Sequence, residues 1–136
     1  MASQSYITGT QGELLAQQFL EQKGFMIIQK NYRIQGGEID LITQKDGYTV
    51  FFEVKTRKSS TFGLAEDAIT YHKRRNLLRA MYTYLCDHPA PKWRFDLLAL
   101  DIRSKVAYIK HYQDIFCVGT KKRGKNSTCG SLLQQQ

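Results

Sequence analysis

An Asp-Gly dipeptide at 46–47 separates two runs that alternate apolar and polar residues, 38–45 and 48–57, and constrains this chain more than any other stretch. A type I′ turn needs positive φ at both central positions, which Asp and Gly accept, so the pattern specifies a two-residue β-hairpin. The expected register pairs Lys45 with Tyr48, then sets Asp40 opposite Glu53 and Glu38 opposite Lys55. Strand side chains alternate with period two, so these four should project from one face. A four-residue loop would keep that arrangement; a three- or five-residue loop would send Asp40 and Glu53 to opposite faces.

Such a pair is odd in a merely structural sheet. Opposed residues have Cβ atoms roughly 5 Å apart, and like charges there are destabilising. At an effective dielectric of about 20 the repulsion is about 3 kcal/mol. Something positive is therefore expected between them, either Lys55 or a divalent cation bound through oxygen. Ile42 and Phe51 should share the face, which argues for a sheltered site over a solvated charge ladder.

The chain of 136 residues is long enough for one domain with a real core. Its net charge of +8 is partly in residues 114–136, where Lys121, Lys122, Arg123 and Lys125 face only Asp114. The body remains basic without them, which favours a polyanionic partner, nucleic acid ahead of an acidic membrane surface. Cys86, Cys117 and Cys129 show no CxxC spacing, and His72, His88 and His111 are scattered, so neither a disulfide framework nor a zinc site is indicated. No signal-peptide core or membrane-length apolar run occurs, and the expected compartment is a reducing cytoplasm without membrane association.

Residues 10–23 read as a helix with Leu15, Ala16, Phe19 and Leu20 as its apolar stripe and Gly24 as its stop. Glu13 has two readings of equal weight. It fits a capping box with Thr10, or it is a functional carboxylate at the lip of the sheet. A strand over 25–33 and a turn at 35–37 lead into the hairpin, and a polar loop follows at 58–63. Residues 65–87 form the longest helix, closed by Pro89 and Pro91, with Leu77, Leu78, Met81, Tyr84 and Leu85 as core. Strands at 93–100 and 105–112 complete the order α-β-β-β-α-β-β. The third strand, long helix and fourth strand make a βαβ unit, whose crossover should be right-handed. The expected fold is α/β, a mixed central sheet flanked by the two helices over residues 1–113, followed by a basic tail at 114–136.

Asp40, Glu53 and Lys55 after a leading helix form the pattern D-x12-E-x-K, which resembles the PD-(D/E)xK nuclease superfamily and its restriction-endonuclease-like fold. More closely, the chain is similar to the YraN-like bacterial family, itself considered related to archaeal Holliday-junction resolvases. The likeness rests on Gly12-Glu13, Asn31-Tyr32-Arg33, GEIDLI at 37–42, FFEVKTR at 51–57, Phe62-Gly63, Lys73 and Arg94-Phe95-Asp96. Ile39 stands where the superfamily's eponymous proline would be. That proline supplies no ligand.

The resemblance implies a Mg²⁺-dependent endonuclease, with Mn²⁺ as a substitute, acting on branched or structured DNA in preference to RNA and forming a homodimer. Asp40 and Glu53 would be metal ligands, joined by the Val54 carbonyl and by Glu13, while Lys55 would orient the attacking water or offset transition-state charge. Glu38 is open between salt-bridge partner of Lys55 and further metal ligand. Lys73 is open between exposed helix cation and phosphate contact. Arg57, Lys58 and the cluster Lys121, Lys122 and Arg123 would follow a phosphate backbone. Arg94 and Asp96 read as a structural pair. The competing function is a non-catalytic nucleic-acid-binding module that kept the fold.

Overall fold

The computed structural model describes residues 4–57, 69–103 and 106–116, with side chains from residue 11 onward. The elements run α1 (Gln4–Gln22), β1 (Met26–Ile34), β2 (Gly37–Lys45), β3 (Tyr48–Arg57), α2 (Tyr71–Asp87), β4 (Trp93–Arg103) and β5 (Val106–Tyr112). This is the expected order. The five strands form one sheet in the order β1-β2-β3-β4-β5. It is mixed: β3 and β4 run parallel across α2, and the other neighbours are antiparallel. The architecture is consistent with a restriction-endonuclease-like fold.

The Asp-Gly turn forms as its chemistry dictates, with φ of 51° at Asp46 and 80° at Gly47. From Lys45–Tyr48 to Leu41–Phe52 the hairpin keeps the expected register. One helix covers each face. Ala16 and Leu20 of α1 pack with Leu41, Val50, Phe52, Leu98 and Leu100. Leu77, Ala80, Met81 and Tyr84 of α2 pack with Ile39, Ile42, Phe51 and Phe95. Alternation along β3 thus divides Phe51 from Phe52, one under each helix.

Two helix starts differ from expectation. α1 begins at Gln4, so Thr10 lies inside the helix and the capping-box reading of Glu13 is not realised. α2 begins at Tyr71, because the Thr70 side chain accepts the Lys73 N–H at 3.2 Å and caps it there. The helical residues expected at 65–68 and the loop at 58–63 lie outside the described residues. α1 closes as read: Gly24 takes φ 88° and the Phe25 N–H bonds the Leu20 carbonyl at 2.9 Å. Beyond β5, the Ile115 N–H bonds the Phe95 carbonyl and Phe116 is buried under α2, so the chain stays on the body through residue 116.

Candidate active site

The hairpin ladder ends at Leu41–Phe52, one step short of the acidic pair. Beyond it, Asp40 turns its carboxylate onto β3, where Oδ2 accepts the Val54 N–H at 2.8 Å. Alternation fails at the same level of β2. Leu41 packs under α1, whereas both Ile39 and Ile42 pack under α2. The neighbouring strand breaks there too: between the pairs Lys30–Leu41 and Tyr32–Ile39 lies Asn31, at φ 51°. Asp40 is therefore not a regular ladder partner of Glu53. It reaches the site through a local kink.

Glu53 is 3 % exposed. Lys73 of α2 approaches it at 3.1 Å, and Lys55, two residues along β3, at 3.7 Å. Burial pushes the Asp40 carboxyl up to about 7. The Glu53 charge pushes the same way, as does a side-chain hydrogen bond between the two acids; the Val54 N–H and the Lys73 charge oppose them only partly. Burial disfavours the Lys73 ammonium, yet Glu53, Asp40 and Glu38 together hold its pKa above the usual lysine value. A cation in the first turn also opposes the helix dipole. Glu53 compensates for both.

The structure thus brings Asp40, Glu53, Lys55 and Lys73 together. Lys73, read from the sequence as an exposed helix cation or a phosphate contact, is the nearer of the two cations on Glu53. Glu38 is not the partner of Lys55. It pairs across β1 with Arg33 at 3.1 Å, because the ladder that would have carried it to Lys55 has already ended. Gly12 lies so close to β3 that a Cβ there would collide with the Thr56 hydroxyl, which brings Glu13 towards the end of that strand. Its side chain is exposed and makes no ion pair among the described residues. Among those residues no three Asp, Glu, His or Cys side chains converge as a metal cluster; the two carboxylates that meet are Asp40 and Glu53. Val54 enters through its N–H. Arg57 follows Lys55 on the same side of β3, half-buried. Lys58, Lys121, Lys122 and Arg123 lie outside the described residues.

Asp96 belongs to a separate network. Fully buried, it accepts from Arg94 Nε at 3.1 Å and from the Asp114 N–H at 2.9 Å, and it faces His111 Nε2 at 2.8 Å. These contacts fasten β4, β5 and the segment after β5 to one another. The Arg94–Asp96 pair was legible in sequence; His111, fifteen residues on, was not.

A family model described as uncharacterised protein family UPF0102 matches residues 12–100, which includes every residue of the site. A UPF0102 protein of Chloroherpeton thalassium is 38% identical over 114 residues, covering 81% of this chain and 88% of its own. One from Syntrophomonas wolfei is 39% identical over 110 residues, covering 79% and 96%. One from Carboxydothermus hydrogenoformans is 32% identical over 111 residues, covering 79% and 92%. With the family model spanning the first helix through β4, and relatives of this similarity along most of their length, the chain belongs to the UPF0102 family.

Proposed function

We propose that the Asp40–Glu53 pair holds a divalent cation, Mg²⁺ or Mn²⁺, and that the protein is an endonuclease hydrolysing phosphodiester bonds in structured or branched DNA. The observation that carries this reading is the sheltered carboxylate pair, in which ionising Asp40 is opposed by burial and by Glu53. A purely electrostatic binder gains nothing from two acids facing a phosphate backbone. The donor chemistry fits: Mg²⁺ takes hard oxygen ligands, typically one or two carboxylates with waters and phosphate oxygens. When bound, such an ion acidifies water and offsets charge developing on the phosphate.

The chain's own residues supply the rest of the chemistry. The Val54 N–H fixes the Asp40 carboxylate, and the Glu53 carboxylate is held between two ammonium groups. Lys55 and Lys73 are point charges that can turn to a phosphate oxygen, and Lys55 is the candidate for orienting the attacking water. Their existing hold on Glu53 also favours a second reading. The acids are already neutralised, and the chain is a binding module without turnover.

Cleavage of duplex, flap, junction and RNA substrates, with Mg²⁺ or with EDTA, separates the two. The endonuclease reading expects Mg²⁺-dependent cutting of structured DNA, and about a 100-fold loss of rate in Lys55→Ala with affinity retained. Binding without cutting under every condition establishes the module instead.

A further inference from the structure

Beside the acidic pair a groove of about 350 Å³ runs between the β1–β2 turn and α2, lined by Arg33, Gly36, Gly37, Glu38, Lys73 and Asn76, among others. It is built by close approach. A Cβ on Gly37 would sit 2.5 Å from the Asn76 carbonyl oxygen, so only glycine lets the turn rest against the helix. Gly36 adopts φ 84°, and a Cβ there would lie 2.9 Å from an Arg79 guanidinium nitrogen. The Arg79 guanidinium therefore lies over the turn that forms one wall of the groove. Among the described residues it has no carboxylate at ion-pair distance, and it is exposed.

Arg33 lines the other wall. Its side chain is 71% exposed and its pair with Glu38 is open to solvent. Such pairs contribute little, so the guanidinium can exchange that carboxylate for another anion at small cost. Arg33 and Lys73 line the groove with Glu38, Arg79 lies beside it, and Lys73 is also paired with Glu53. Lys73 and Arg79 are six residues apart on α2, about 9 Å along the helix axis.

We infer that this groove carries the strand being cut, and that Arg33 and Arg79 are positioning residues that hold its phosphates to one side of the acidic pair. The inference rests on the endonuclease reading and adds to it the direction in which the strand leaves the site. Planar guanidinium forks suit that task, since they can grip a phosphate through two parallel hydrogen bonds. Asn76 adds a neutral donor to the same wall.

The test measures affinity of the full-length chain for a fluorescein-labelled DNA oligonucleotide, single-stranded and duplex, in EDTA across a NaCl series. Arg33→Ala and Arg79→Ala should each weaken binding several-fold and lower the slope of log K against log salt by about 1. Arg79→Lys should keep the slope. Lys92→Ala, which removes a cation beside Tyr48 at the hairpin end, should behave as the parent. Unchanged melting temperatures show that both arginine variants are folded. If both bind with the parent's affinity and slope, the groove does not carry the strand, while the metal site stands. If the parent protein itself binds no DNA at low salt, the groove and the endonuclease reading both fall.

Discussion

In the proposed function Asp40 is the residue on which the chemistry turns, and its environment makes a signed prediction. Its folded pKa of about 7 lies well above the value near 3.9 of an unfolded Asp. Between those values the folded chain holds a proton that the unfolded chain has released. Without metal, its contribution to stability is fully present below about pH 4 and is lost as pH rises towards about 7. The gap corresponds to about 2–4 kcal/mol once the charge shared with Glu53 is considered. Thermal melting in EDTA from pH 4 to pH 8 should show this loss in the parent protein but not in Asp40→Asn, which keeps an acceptor for the Val54 N–H. A parallel decline in both proteins would place the titration elsewhere. At this scale the sequence revealed that Asp40, Glu53 and Lys55 come together, but not how. The register follows from turn chemistry, whereas the kink at Asp40 is a three-strand event, marked only by an asparagine at 31 whose left-handed φ nothing in a linear pattern announces.

At the scale of elements, α2 completes the site by carrying Lys73 to Glu53. Thr70→Ala removes its N-terminal cap and should cost about 1 kcal/mol, with fraying at the turn that holds Lys73. Differential scanning calorimetry and amide exchange would read both. Gly37→Ala presses a methyl group against a backbone carbonyl that cannot rotate away. It should destabilise by about 1–3 kcal/mol, measured by urea unfolding. The sequence showed α2 through the periodicity of Leu77, Met81 and Tyr84, and β3 through its alternation. The right-handed crossover rule constrains which side α2 covers, but no local pattern brings Lys73 to within 3.1 Å of Glu53. The start of α1 was missed for a different reason: Ser5, Thr8 and Thr10 have the composition of a cap or turn, yet the helix runs through them.

Across the whole molecule, the net charge is +8, while Asp40 and Glu53 form a sheltered acidic pair. Binding to DNA should fall steeply and log-linearly with salt, as counterion release requires. Removing residues 117–136 takes away Lys121, Lys122, Arg123 and Lys125 while sparing buried Phe116. That truncation should reduce the salt slope while leaving the metal response unchanged; a lost metal response would tie the tail to the site. The general basic character was readable from composition, but the contrast between a cationic exterior and a sheltered acidic pair is a property of the folded sheet.

The most direct measurement is the melting temperature of the parent protein and of Asp40→Ala as Mg²⁺ or Mn²⁺ is titrated at neutral pH. A cation bound only by the folded chain raises stability by mass action, about 2.7 kcal/mol at a hundredfold excess over its dissociation constant. The parent should rise with metal to that order, and Asp40→Ala should stay flat. Equal shifts in the two proteins, or none in either, would contradict a metal site at Asp40 and Glu53.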